Sequence, residues 1–354
     1  YPPQTGMLTR FLDNEIMVED EVLAAQSGTG TTQVEIPGTI VRNDDLLGIT
    51  FLNQGTGFAA GENGTIMKIT EEGSKWEYVN APTTSYYTDI AFVTNSIGYA
   101  TSENGALVRT NDGGLNWSNY MFFGSPINNI AFNGSKGALI GDDGLIRLTN
   151  DGGNTWATTI PGFVAQPTNF TEKDLFGLFW ADADNLWIVG SEGTIIKIST
   201  LNGWEFVTSN TFNDLHSLYF VNANVGYIVG EGAIVLKTTN GGLSWNGDYR
   251  PENADFFKVS FKLNIGFIIG ENGVVLQTTD AGETWAQQVS NTEKELYDLF
   301  FVTPQLGYMV GENEPVEGTT YNSSLMITRD GGATWNKVIT SDTARLDVRR
   351  YHPH

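Results

Sequence analysis

The chain has 354 residues and no cysteine, so disulfides and thiolate metal sites are excluded, and it contains no apolar run long enough for a membrane-spanning helix. Asp and Glu number 41 against 19 Lys and Arg, a net charge of −22, with no basic footprint for nucleic acid or anionic lipid. Hydrophobic residues at 40% and aromatics at 12% supply a large core, and solubility is the simplest account of the acid excess.

In chain order, residues 1–44 form an extension that does not repeat. Leu8, Phe11, Leu12, Ile16 and Met17 give ambiguous periodicity, and 27–32 (Ser-Gly-Thr-Gly-Thr-Thr) reads as a flexible spacer. Residues 33–37 resemble the end of a repeat unit, so either they close a ring by pairing with the last unit or the strand 335–339, which that unit already owns, is outermost. The first residue is Tyr1 and not methionine, which is read as the mark of a processed, exported product.

From 45 to 340 the chain repeats. Trp76, Trp117, Trp156, Trp204, Trp245, Trp285 and Trp335 are separated by 41, 39, 48, 41, 40 and 50 residues, a period that denotes an array of one supersecondary unit. Each closes a variant of one phrase, fullest as Thr149, Asp151, Gly153 and Thr155 before Trp156. It recurs with Asp112, Asp280 and Asp330 before Trp117, Trp285 and Trp335, and with the amide Asn240 before Trp245. Before Trp76 the acid is Glu71 with Gly73 kept, and before Trp204 the register is lost. The expected structure is a tight turn between strands: the short carboxylate accepts hydrogen bonds from amides one or two residues on, glycine supplies positive φ, and the indole covers the turn.

Period-two alternation places four strands in each unit, for example 215–221, 226–230, 233–238 and 244–249, with the same order at 87–120 and 296–339. Four short antiparallel strands repeated seven times predict an all-β fold, a seven-bladed β-propeller of four-stranded antiparallel blades, since each blade buries its faces only against its neighbours.

The hairpin between the second and third strands of each unit carries an acid, beside Asn-Gly or Asp-Gly in four of the seven: Glu62, Glu103, Asp142 with Asp143, Glu192, Glu231, Glu271 and Glu312. Asn-Gly and Asp-Gly are explained by type I′ turns. The acids are not, and on one face of a propeller they would form a ring that attracts cationic partners, although an exposed turn also tolerates an acid without function. Two long segments, 157–174 with Phe163 and 312–324 with Tyr321, are assigned to the same face. With the acids they complete the candidate binding surface. Residues 341–354 form a basic tail.

No cofactor or metal site is called from this sequence. Histidine occurs only at 216, 352 and 354, and His216, on an inner strand, reads as a buried, hydrogen-bonded side chain. No nucleophile with a histidine and an acid can be assembled, and no phosphate loop or paired-histidine motif is present. Calcium would need several loop oxygens to converge.

The tryptophan phrase resembles the Asp-box, or bacterial neuraminidase repeat, in which the box aspartate is structural. Sialidases also carry an arginine cluster, a tyrosine nucleophile and an Arg-Ile-Pro phrase. This sequence lacks that phrase, and Arg42, Arg109, Arg147, Arg250 and Arg329 do not supply the cluster. The whole unit, seen in 218–245 and again in 261–285 and 301–335, resembles the photosystem II assembly and stability factor family over about residues 46–340. That resemblance implies a seven-bladed, non-enzymatic scaffold in the thylakoid lumen or another exported compartment. Members present arginines to their partner, whereas the comparable face here is expected to carry acids. The leading reading is an exported, non-catalytic propeller, binding a protein or a glycan at the acidic, loop-bearing face. The alternative is a glycan-processing hydrolase using two carboxylates across the central opening.

Overall fold

The computed structural model describes residues 44–338 apart from 74, 165, 168–169, 251 and 316–321. Tyr321, nearly all of the 1–44 extension and the 341–354 tail therefore lie outside the described residues.

Apolar runs broken by glycine turns fold each unit into an antiparallel sheet whose strands follow chain order from the axis outward. Seven blades occupy residues 46–79, 87–122, 127–157, 175–206, 215–249, 256–288 and 296–337. In blade 3 the outer strand shrinks to a single bridge between Leu148 and Ala157. Blade 7 takes all four of its strands from its own unit, and the first strands of blades 1 and 7 pack together, so the ring is closed. Second strands such as Gly226–Gly230 and Gly98–Ser102 are buried along their whole length, because they lie between two neighbouring blades.

The tryptophan turns differ from expectation in one respect. Asp151 Oδ1 accepts the N–H of Thr155, four residues on, at 2.9 Å, and Oδ2 accepts the Thr155 hydroxyl at 2.7 Å. Thr149 completes the turn, donating to Asp151 Oδ1 at 2.7 Å and accepting the Gly153 N–H at 2.9 Å. The same contacts recur around Asp112, Asp280 and Asp330, and around Asn240 with its amide oxygen. The carboxylate thus spans the whole turn.

These turns also join the blades. The indole of one blade meets, edge to face, an aromatic ring on the second strand of the blade before it. The pairs are Phe58–Trp117, Tyr99–Trp156, Trp187–Trp245, Tyr227–Trp285, Phe267–Trp335 and Tyr308–Trp76, at centroid separations of 6.0 to 6.4 Å. The turn glycine permits this approach: a Cβ on Gly242, whose φ is +82°, would lie 2.2 Å from the Trp187 ring. Each such pair is worth about 0.5–1.5 kcal/mol beyond the area it buries.

The junction between blades 3 and 4 is the exception. The second-strand position there holds Ala138, and the turn before Trp204 is the one whose phrase has lost its register. The first part of the 157–174 segment fills the gap, which corrects its assignment to the loop-bearing face, while Lys173 and Asp174 at its end meet the hairpins of that face. Ile160 and Phe163 are 6% and 8% exposed and join Ala138 in one core cluster, with Phe163 edge-on to Trp180 at 6.1 Å. The backbone carbonyl of Val164 accepts the Trp204 indole N–H at 2.7 Å, and Phe170 packs on Trp204 and Phe206. Phe163, expected to be presented for binding, is a core side chain, because burying its ring replaces the aromatic that Ala138 lacks. The second expected loop is also different: the strands Gly307–Pro315 and Asn322–Thr328 run on as a ribbon, with Glu314 opposite Ser323.

Candidate functional site at the channel mouth

The hairpins between second and third strands lie on the face that carries the blade-to-blade connections, since the first residue of each inner strand pairs with the last of its neighbour, as Leu46 does with Gly61. The tryptophan turns lie at the opposite rim. In blade 1, Asn63 (φ 52°) and Gly64 (φ 69°) form the two central residues of a turn closed by the Thr65 N–H on Glu62 O, as Asn-Gly chemistry predicts.

Several expected binding acids prove to be tied to the backbone. Glu62, Glu231 and Glu271 are half-buried, and each accepts the N–H of the residue preceding its own inner strand, Asp45, Asp214 and Asp255, at 3.1 to 3.2 Å. Asp142 accepts the Asn128 amide at 2.8 Å, and Glu312 pairs with Lys294 at 2.5 Å. Glu103, Asp143 and Glu192 are exposed, with Glu192 held by Lys173 at 2.5 Å.

A second set of acids escaped the sequence reading. Asp45, Asp174, Asp214 and Asp255 stand just before inner strands, and each accepts an N–H from the hairpin of the preceding blade: Asn313, Asp143, Glu192 and Gly232, at 2.8 to 3.0 Å. The Asn313 bond joins blade 7 to blade 1. The recurring Asp-Leu or Asp-Phe pairs at 45–46, 174–175, 214–215 and 255–256 could have disclosed these latches.

At the mouth of the central channel every inner strand carries a bulge, placed between Leu46 and Gly48 in blade 1 and equivalently in the other six blades. A bulge re-aims the extra side chain. Leu47, Thr88, Asn128, Phe176, His216, Phe257 and Tyr297 are thereby brought together, one per blade, around a bore of about 790 Å³. Thr88 and Asn128 each donate to the carbonyl that opens the next inner strand, Ile127 and Leu175, at 2.5 and 3.0 Å. His216 Nδ1 lies 3.0 Å from the equivalent carbonyl of Phe256; since a carbonyl only accepts, Nδ1 carries the proton. His216 is hydrogen-bonded as expected, but it is half-exposed and lines the bore.

Phe176, His216, Phe257 and Tyr297 form a continuous aromatic arc across blades 4 to 7, with neighbouring centroids 5.6 to 5.7 Å apart. The Tyr297 hydroxyl donates to Glu295 at 2.7 Å, and burial followed by that bond raises its pKa.

Below the arc, Lys258 pairs with Asp298 at 2.8 Å, and Asp89 faces them from blade 2. Asp298 accepts the N–H groups of Ile49 and Leu299, both at 2.9 Å, and Asp89 accepts those of Ile90 and Ile130 at 2.7 and 3.0 Å. Desolvation deep in the bore pushes Asp89 up to about 7, opposed by Lys258 and reinforced by Asp298. Nothing in the repeat signals this belt, because it occupies one ring position that varies as Gly48, Asp89, Asn129, Gly177, Ser217, Lys258 and Asp298. Among the described residues, no group of three or more His, Cys, Asp or Glu side chains could hold a metal ion.

The fold resembles a solved structure of "YCF48 bound to D1 peptide" at 19% identity and TM-score 0.65, covering 87% of this chain and 95% of that one. It also resembles YCF48 from Cyanidioschyzon merolae at 18% identity and TM-score 0.62, over 79% and 95%. A catalytically inactive virginiamycin B lyase from Staphylococcus aureus, solved with quinupristin, is similar at 13% identity and TM-score 0.57, over 78% and 95%. No curated protein matches the sequence. No helix among the described residues is long and apolar enough to cross a membrane. The sequence pattern of the family described as photosynthesis system II assembly factor YCF48 matches residues 69–162 and 196–291, more than half of the chain, and the protein belongs to that family.

Proposed function

We propose that the chain is an exported, non-catalytic scaffold that binds a protein segment at the loop-bearing face, as a module of a larger assembly. The observation that carries this reading is the contrast between the two faces. The tryptophan-turn rim repeats one structural device, whereas the mouth presents a varied set of side chains, one from each blade, as recognition requires. Family membership supports a partner-binding role. A relative solved with a D1 peptide makes a peptide the first partner to test. Glu103 and Asp143 are the expected acids most available to a cationic partner, since they are exposed, and Glu192 is exposed but paired with Lys173. A glycan is the other partner class, to be screened on the same disc.

The test is capture by the immobilised protein. A variant with Glu103→Gln, Asp143→Asn and Glu192→Gln should lose partner, while Asp280→Asn on the opposite rim should not. Equal capture by both would rule out this face. Secretion of the full-length product in its native host tests export.

A hydrolase is the second reading, since two carboxylates, Asp89 and Asp298, line the bore and Asp89 is raised to about 7, a value suited to acid–base chemistry. Against it, both oxygens of each carboxylate already accept backbone N–H groups, some of them from the next blade. Turnover of an aryl glycoside that vanishes in Asp89→Asn would favour the hydrolase.

A further inference from the structure

We infer that the arc of Phe176, His216, Phe257 and Tyr297 is a seat for a single cationic side chain, a lysine or arginine presented by the protein partner. The inference rests on the proposed binding at the loop-bearing face and names the chemistry recognised there. The four rings are half-exposed and continuous, one from each of blades 4 to 7, and the rest of the mouth is lined by Leu47, Thr88 and Asn128. The seat is therefore a one-sided crescent.

Its surroundings select charge. Asp214, Glu231, Asp255, Glu271 and Glu295 stand on the same blades, and none has an ion-pair partner among the described residues. Lys258, deeper in the bore, is matched by Asp298. An anionic group would meet Glu295, which lines the bore, and the acids that stand two residues before His216 and Phe257. An aliphatic side chain would take water from Glu295 and return nothing. A guanidinium or ammonium group gains both from the ring faces and from the surrounding negative potential. Tyr297 contributes its ring to the crescent while its hydroxyl is held by Glu295.

The probes are acetyl-Gly-Arg-Gly-amide, its citrulline counterpart and its phenylalanine counterpart, titrated into the full chain at 0.15 M salt. The readout is the side-chain nitrogen resonances of His216, which belongs to the arc. The arginine peptide should give a saturable shift, with affinity about tenfold weaker for citrulline and for the Phe257→Leu variant. Tyr297→Phe, which keeps the ring, should stay within about threefold. Unfolding midpoints confirm that the variants remain folded, and His216→Leu, read by calorimetry, should weaken binding as Phe257→Leu does. Equal or tighter binding of the citrulline or phenylalanine peptide, unchanged binding by Phe257→Leu, or no shift with any peptide would overturn the seat. If the intact disc still captures its partner while the peptides fail, the seat falls and the loop-face reading stands. If a variant combining Glu103→Gln, Asp143→Asn, Glu192→Gln and Phe257→Leu captures partner as well as the unmodified chain, the loop-face reading itself falls.

Discussion

Six of the seven blade junctions and the junction between blades 3 and 4 reach the same packed state by different routes. At the six, a second-strand aromatic of one blade receives the indole and turn glycine of the next, so the tryptophan phrase supplies one half of the contact and the second strand of the repeat the other. At the seventh, Ala138 removes one half, the degenerate turn before Trp204 weakens the other, and an insertion brings Phe163 and Phe170 to fill the space. Close packing of interiors makes this compensation necessary, since an unfilled ring-sized gap would cost several kcal/mol. An irregularity in one repeat therefore need not mark function. Here it repairs the wheel.

The largest effect should come from Phe163→Ala. Loss of a buried phenylalanine costs about 3–5 kcal/mol, read as a fall in urea midpoint, with the damage centred on blades 3 and 4 in hydrogen exchange. Ala138→Phe in the unmodified protein should overpack the same space by about 1–3 kcal/mol. Combined with Phe163→Ala it should recover part of the loss. Strict additivity of the two changes would show that they do not share a site and would break the comparison.

Next in size is the contrast between turn glycines. Gly242→Ala would place a Cβ 2.2 Å from Trp187 at φ +82°, whereas at Gly203, φ +76°, the nearest contact is Val164 at 3.2 Å. Backbone strain is common to both, so Gly242→Ala should lose about 1–2 kcal/mol more than Gly203→Ala in the same denaturation experiment. Equal losses would mean that the ring contact does not limit the junction.

The smallest effects are in pH dependence, and they differ in sign between the rim and the bore. In the tryptophan turns, hydrogen bonds from the Asn116 side chain hold Asp112 down to about 2, and those from the Thr284 side chain do the same for Asp280. Their folded pKa lies below the unfolded one, so the stability they confer is present above about pH 4 and is lost as pH falls toward 2. Asp89 is the reverse: raised by desolvation to about 7, its contribution is full below its unfolded pKa of 3.8 and fades as pH rises through 7. Thermal midpoints of Asp89→Asn should therefore fall less between pH 6 and 8 than those of the unmodified chain. Asp280→Asn should flatten only the acid limb. A steeper alkaline decline in Asp89→Asn would contradict the assignment.

The site was less legible than the fold. Glu62, Glu231 and Glu271 were visible as a recurring acid, but not that each would accept an N–H ahead of its own inner strand. Asp45, Asp174, Asp214 and Asp255 were equally periodic, yet went unread because a lone acid before a strand carries no turn signature. The aromatic arc was hidden for another reason. Phe176, His216, Phe257 and Tyr297 stand in four different units, and in sequence each is one more residue of an apolar strand.

By itself the sequence determined the number of blades, their strand order and the face on which each turn emerges, because these follow from period-two alternation and from the φ angles that glycine and asparagine permit locally. Only the tertiary structure decided which acids are committed to the backbone, that Phe163 is core, and which side chains meet at the mouth. Those outcomes depend on the bulge that turns one residue of each inner strand toward the axis and on ring closure, which brings blade 7 against blade 1 across the whole length of the repeat. No local pattern encodes a contact between residues 49 and 298.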